Sequence, residues 1–437
     1  MYLTVPETIR RFVDGWGANL DKRKKTLIPW LVAGLLFCQG KKTYGGLART
    51  LILEPRNRAS VSKLFQRSPF RSRDMYQQAV QWLTTQLAPP QPELWVLVID
   101  GVHIQRGGNT QVQNAIKYKE KQKAQGRTTK SHAFIQGLLI TAAGVRLPQA
   151  RRTYYTKRYC RKHGRTYISM TRLAELIMEK AVVPPHVSLV VLADEFFEGQ
   201  RLHAACERLH YRYICPLNKS RCLADEQGQR LPINVTQYSL SLHLRQLKTV
   251  AFTPGREQTV LLRRRTGQDH KIRRYCATSV SQNVSSLGNV MVTYSWKNIT
   301  RRRKLAKCKI LVTNALDWDT ADIIEYYELR WQIEIFFREL KTYLGLEDFQ
   351  GTRFEDYERF YDMVLLAYLF LEWYRLTEIL ATVPKAANAK SAYRILPLIH
   401  KVQQAALNEN YLWLQKKFTC HRTAMNILKK INLAFAA

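Results

Sequence analysis

The chain has 437 residues, enough for about three domains, and its 46% apolar content, with 9 Trp, 22 Tyr and 16 Phe, excludes wholesale disorder. Lys and Arg number 69 against 34 Asp and Glu, a formal charge of +35. An enzyme of small neutral metabolites gains nothing from that self-repulsion, whereas a polyanionic partner offsets it.

Nucleic acid and anionic membrane are the candidate polyanions. The longest apolar runs, Thr26–Cys38 (interrupted by Pro29) and Met363–Leu371, fall short of the roughly 20 residues a membrane span needs. A membrane-surface protein predicts a basic amphipathic helix, but the basic clusters here sit in β-like and loop segments. The start, MYLTVPETIRRF, has no basic region followed by an apolar one, so no signal peptide is expected and the expected location is cytoplasmic. Eight Cys with no C-x-x-C spacing, Cys206, Cys215 and Cys222 among them, predict reduced thiols rather than a zinc site or disulfide framework.

Residues 1–90 read as helical. Thr43–Leu53 and Asn57–Arg67 read as two short helices around a turn at Glu54-Pro55-Arg56, with Asn57 as a cap. The second would present Arg58, Ser60, Ser62, Lys63, Gln66 and Arg67 outward and keep Val61, Leu64 and Phe65 for packing. That suits a DNA-reading helix-turn-helix or an ordinary helical hairpin. Ala88-Pro89-Pro90-Gln91-Pro92 reads as a linker. LWVLVID (94–100) follows as a buried strand, then a polar, basic stretch from Gln105 to Ser131. FIQGLLIT (134–141) and VRLPQARRTYY (145–155) predict a strand pair around Ala142–Gly144. Met170–Ala181 predicts a helix, VSLVVLA (187–193) a strand, Glu198–Leu209 a helix and YRYICPL (211–217) a strand. Glu226–Val312 becomes β-like, with TVLLRRR and NVMVTYSW. From Asp319 helices return, the first reaching Tyr343.

The positive charge is concentrated. Glu226–Val312 carries 17 Lys/Arg, including Arg263–Arg265 and Arg301–Lys304, against three acids, and the span between Asp100 and Asp194 also carries 17 against three. A merely solvated surface mixes signs.

Against this background a few acids stand out. Asp100 and Asp194 each end a buried apolar run, the place where open α/β sheets hold ligands, although Asp there also serves as a turn or cap residue. On the helix near residue 330, Tyr327, Arg330, Glu334 and Lys341 fall at about 0°, −60°, −20° and −40° on the helical wheel. A carboxylate between two bases and a phenol suits a metal–phosphate site. The alternative is a surface helix pairing Glu334 with Arg338; Trp331, Phe336 and Phe337 argue instead for a largely buried helix, in which an acid needs a partner or a metal.

The spacing Tyr327-x2-Arg330-x3-Glu334-x6-Lys341, with LGLEDFQGTR (344–353) after it, resembles the Tyr–Arg–Glu–Lys signature of a large group of bacterial insertion-sequence transposases. The resemblance covers most of residues 20–375. It implies an α/β fold: an RNase H-like catalytic core, a mixed sheet flanked by helices and interrupted by a β-rich insertion, with helical N- and C-terminal regions. The implied division is 1–90, a helical DNA-binding domain; 91–225, the first part of the catalytic domain; 226–312, the basic insertion; 313–353, the catalytic-domain helix carrying Glu334; and 354–437, a helical C-terminal region, a candidate dimer contact. It implies a DDE triad of Asp100, Asp194 and Glu334 holding two Mg²⁺, with Mn²⁺ able to substitute. Arg330 and Lys341 would hold DNA phosphates with Tyr327 packed beside them. Trp296 is the candidate to stack a flipped base, or else a core residue.

The chain departs from many relatives in having Val102 and His103 after the first Asp. It also has Glu195-Phe196-Phe197 after the second, so Glu195 and Glu198 compete with Asp194 as ligands. The implied activity is metal-dependent cleavage at element ends and strand transfer into target DNA, by a homodimer on paired ends near the nucleoid. A non-catalytic DNA-binding relic and a nuclease without strand transfer are the alternatives.

Overall fold

The computed structural model describes residues 2–67, 71–106, 112–119, 128–242, 248–252, 273–297, 308–380, 394–419 and 421–436. Five helices open the chain: α1 (Glu7–Trp16), α2 (Lys22–Phe37), α3 (Tyr44–Ala48), α4 (Arg58–Arg67) and α5 (Ser72–Gln86). Asp21 Oδ1 caps α2 by accepting from the Lys24 amide at 2.8 Å. Pro29 withholds a donor only from the Lys25 carbonyl, in the exposed first turn.

The expected helix Thr43–Leu53 stops at Ala48. Tyr2 bridges Leu51, and the Ile52 and Leu53 amides donate to the carbonyls of Tyr2 and Leu3 at 3.0 and 2.9 Å. Burying Leu51 against the N-terminal segment outweighs another helical turn. Asn57 Oδ1 accepts from the Ala59 amide at 2.8 Å, as a cap should. Val61, Leu64 and Phe65 are buried, while Arg58, Ser60 and Lys63 are exposed. The side chain of Arg67 lies outside the described residues.

Among the described residues thirteen strands form one sheet. They are β1 (Glu93–Gln105), β2 (Ile116–Lys119), β3 (Thr128–Ile140), β4 (Arg146–Pro148), β5 (Arg152–Thr153), β6 (Val187–Leu192), β7 (Arg212–Pro216), β8 (Cys222–Ala224), β9 (Arg230–Asn234), β10 (Lys248–Phe252), β11 (Arg273–Val284), β12 (Gly288–Lys297) and β13 (Lys309–Thr313). The order is β2-β3-β1-β6-β7-β13-β12-β11-β8-β9, with β4 and β5 on β3 and β10 on β11. The pairs β1–β6 and β6–β7 are parallel, and their crossovers carry α7 (Met170–Glu179) and α8 (Gln200–Arg208), after the short α6 (Lys157–Lys162).

One expectation changes here. The first strand does not end at Asp100. It continues to Gln105 because β3 runs antiparallel beside it as far as Ser131. In the β-rich span β12 pairs with β13 and β13 with β7, so its described strands prolong the same sheet. A short helix, α9 (Val235–Ser241), interrupts it, started by a reciprocal Asn234–Gln237 capping box. TVLLRRR and the clusters Arg263–Arg265 and Arg301–Lys304 lie outside the described residues.

The expected helix from Asp319 to Tyr343 is two helices, α10 (Thr320–Glu328) and α11 (Trp331–Tyr343). At the joint the Leu329 and Arg330 amides donate three residues back, to Tyr326 and Tyr327, both at 3.0 Å. This tighter turn makes a break without reversing direction. Trp331 is 49% exposed, against expectation, whereas Phe336 and Phe337 are buried.

Next, α12 (Phe354–Tyr374) is buried on almost every side and packs on α5, α2 and β4. It is core rather than a dimer contact surface within this chain. Three acids on it, with one from α11, show how a core helix tolerates charge. Glu372 and Glu339 of α11 flank Arg146, itself 0% exposed, with Nη2 to Glu339 at 2.7 Å; Glu358 and Asp362 hold Arg151. Buried charge persists only when paired this way. A widened helical turn (Arg375–Leu380), α13 (Ile395–Lys417) and α14 (His421–Ala436) end the chain. Exposed apolar side chains gather on these last two helices, among them Leu407, Tyr411, Leu412, Met425 and Leu428. Among the described residues no helix is long and apolar enough to cross a membrane.

His132 ties β3 to this core. Its Nε2 donates to the Gln113 carbonyl at 2.9 Å and its ring meets Phe354 edge-on. Burial, with Arg106 nearby, pushes its pKa from 6.5 down to about 3. Between those values the unfolded chain takes a proton that the folded chain refuses. The stabilisation is therefore complete above pH 6.5 and declines as pH falls toward 3, at up to about 1.4 kcal/mol per pH unit. Urea midpoints measured from pH 7 to 4 should fall less steeply for His132→Asn than for the native chain.

Candidate active site

The site forms where strands part. Val98 of β1 pairs with Leu192 of β6, the last pair of their parallel ladder. Asp100 and Asp194 each lie two residues further on. Alternation returns both to the face of Val98 and Leu192, on neighbouring strand paths about 4.8 Å apart. Local amides fix both carboxylates: Gly101 N–H donates to Asp100 Oδ1 at 2.7 Å and Phe196 N–H to Asp194 Oδ1 at 3.0 Å.

From the other side, the joint between α10 and α11 delivers Arg330. Its Nη2 donates to Glu334 Oε1 at 2.6 Å, and Nη1 lies 4.0 Å from Asp100 Oδ2. The same guanidinium acts on Asp194. The three expected acids thus converge around one cation. Burial, then the Asp194 charge, raises the Asp100 pKa to about 7 against the pull of Gly101 N–H and Arg330, with Glu334 adding to the rise. Burial also raises that of Asp194. This is a cluster short of positive charge, and its donors are all oxygens, the set that hard divalent cations prefer. Among the described residues no three His, Cys, Asp or Glu side chains already stand at metal-holding distance; Arg330 bridges Asp100 and Glu334.

The remaining expected residues are placed as follows. Tyr327 is buried at the end of α10, and burial raises its pKa. Lys341 Nζ reaches the His103 carbonyl at 2.9 Å and Glu347 Oε1 at 2.8 Å, so it braces β1 beyond Asp100. Burial and the Lys341 charge lower the His103 pKa. Glu198 is engaged elsewhere, accepting from Arg221 Nη2 at 2.5 Å and lying 3.3 Å from His203 Nε2. Glu195 is exposed, so Asp194 is the acid that faces Asp100. Trp296 is 3% exposed in the main core beside buried Tyr294, the second of the two uses open to it, rather than an exposed platform for a base.

The exposed aromatics near the acids are Phe196, 58% exposed, and Trp331. Lys309 was also missed. Its ammonium stands 4.2 Å from the Tyr327 ring centroid. Protein packed around it and the Arg330 charge lower its pKa to about 8, although part of its side chain stays exposed.

Residues 91–370, well over half of the chain, match the transposase DDE domain family. The chain belongs to that family. No curated protein matches it. Members of the transposase DDE domain family act on DNA and generally use divalent metal ions. The matched span begins just before β1 and ends within α12, so it contains both strand-borne Asp residues and the Arg330–Glu334 pair.

Proposed function

We propose that the chain is a cut-and-paste transposase whose triad is Asp100, Asp194 and Glu334, in the family group carrying the Tyr–Arg–Glu–Lys signature. The observation that carries the reading is the level register of Asp100 and Asp194 past the end of the β1–β6 ladder, with Glu334 brought to Asp100 through Arg330. The core is read as RNase H-like, because β3, β1, β6 and β7 lie side by side with β4 and β5 on the outer edge of β3. Residues 1–90 with α4 would grip DNA through Arg58, Lys63 and Arg67; 226–312 is the strand-rich insertion and 313–353 returns to the catalytic unit. Within 354–437, the exposed apolar faces of α13 and α14 are the candidate dimer contact.

In this reading the three carboxylates hold two Mg²⁺, or Mn²⁺ in their place. Such ions supply an activated water, a stabilised leaving oxygen and charge neutralisation at a phosphodiester. The chain's own residues do the rest. Gly101 and Phe196 amides keep Asp100 and Asp194 aimed at the cleft. Arg330 exchanges a carboxylate for a phosphate oxygen, a swap its planar fork suits. Lys341 holds the far end of β1 in place.

Incubating the native chain with Mg²⁺ and a plasmid carrying the DNA that flanks its own gene tests this reading. Breaks at the two element ends together with joined DNA products are expected. Breaks without joined products would reduce the function to a nuclease, and binding with no breaks would favour the relic.

A further inference from the structure

The sheet register singles out Lys309 from the many bases of this chain. Val98 pairs with Leu192, Leu192 with Ile214 of β7, and Ile214 with Thr313 of β13. Paired residues share a face, and every second residue returns to it. Asp100, Asp194, Pro216 and Leu311 therefore form the next row, and Lys309 lies one row beyond, on the same face and past the same edge as the two Asp residues. Tyr327, whose ring backs the Lys309 ammonium at 4.2 Å, immediately precedes the joint that delivers Arg330. The charges of Arg330, Glu328 and Glu334 all reach that ammonium, yet among the described residues it forms no ion pair. An ammonium on an exposed residue, backed by a ring and, among the described residues, without a carboxylate at ion-pair distance, keeps donors for an anion from outside the chain.

We propose that Lys309 holds a DNA backbone phosphate beside the bond that is cut, as a positioning residue outside the four-residue signature. The inference rests on the transposase reading above. A compact ammonium with three rotatable donors suits one anionic phosphate oxygen and reads no base sequence.

The test uses duplexes carrying the chain's own cut end, each with one phosphodiester near the cut replaced by a neutral methylphosphonate. Binding is measured without divalent ions. Lys309→Gln should bind the unmodified duplex roughly tenfold more weakly, and Lys309→Arg should restore most of the loss. At one phosphate beside the cut, the methylphosphonate should weaken the native chain by a similar factor and the Gln variant no further. Amine acetylation of the native chain gives a readout that needs no variant. The unmodified duplex should protect Lys309, and the methylphosphonate duplex should leave it reactive. Losses that add at every phosphate, or a lysine acetylated equally with both duplexes, overturn the inference while native cleavage stands. A native chain that cuts no DNA overturns the transposase reading and this inference together.

Discussion

Glu334→Gln should abolish DNA cleavage while leaving duplex binding near native. The change keeps size and shape, so α11 should fold as before. It removes one of three negative charges from a cluster whose role is to hold divalent cations. The amide can still accept from Arg330 at the 2.6 Å contact, but it binds a hard cation far more weakly than a carboxylate does. A loss of at least a hundredfold in the cleavage rate is expected, about 2.7 kcal/mol or more of barrier. The same duplex should bind within a few-fold, because Glu334 repels phosphate and contributes nothing to attraction. Single-turnover cleavage and a binding isotherm on one end duplex measure both quantities. Native cleavage by the Gln variant would remove Glu334 from the triad.

The second large effect concerns stability. Arg151, 2% exposed, is held by Asp362 through Nε at 2.9 Å, Glu358 Oε1 at 3.2 Å, Thr153 Oγ1 at 2.7 Å and the Glu358 carbonyl at 2.7 Å. Its guanidinium also lies over the rings of Phe134 and Tyr361. Arg151→Met should cost about 3–5 kcal/mol, because it strands two acids of α12 in the core. Folded domains have roughly 5–15 kcal/mol in all, so a sharply lower urea midpoint and poor recovery of folded protein are expected. Arg151→Lys, which keeps the charge but loses the fork, should cost less. Equal midpoints for the native chain and Arg151→Met would contradict this account of the core.

How much of this was legible in the sequence depends on the kind of signal. The strands β1, β6 and β7 were legible because apolar β-branched runs of that length leave few alternatives. Asp100 and Asp194 were therefore found, but not their shared level, which depends on the register of β1 against β6. The Glu334 face was legible because helical spacing alone groups Arg330, Glu334 and Lys341. The same wheel places Trp331 only about 60° from Glu334, so its exposure follows from spacing once aromatic character is not taken for burial. The break at Leu329–Arg330 was not legible, since both residues keep helical backbone angles and only the hydrogen-bond pattern tightens. The end of α3 depended on a partner over forty residues away, Tyr2 with Leu51. Lys309 was hidden because one lysine among 17 bases carries no spacing signal; only the β7–β13 pairing sets it beside the acids. For Trp296 the sequence left base stacking and core packing both open, and only the alternation of β12 beside buried Tyr294 puts it in the core.

If Asp100, Asp194 and Glu334 share one cation site, a metal ion bound there lies beside all three chain segments at once. The most direct measurement replaces Mg²⁺ with Fe²⁺, adds ascorbate and peroxide, and maps where locally generated hydroxyl radicals break the chain. Breaks should cluster near residues 100, 194 and 334, be suppressed by excess Mg²⁺ and be reduced at all three places in Glu334→Gln. Breaks confined to one of these segments, or falling elsewhere in the chain, would contradict a shared site.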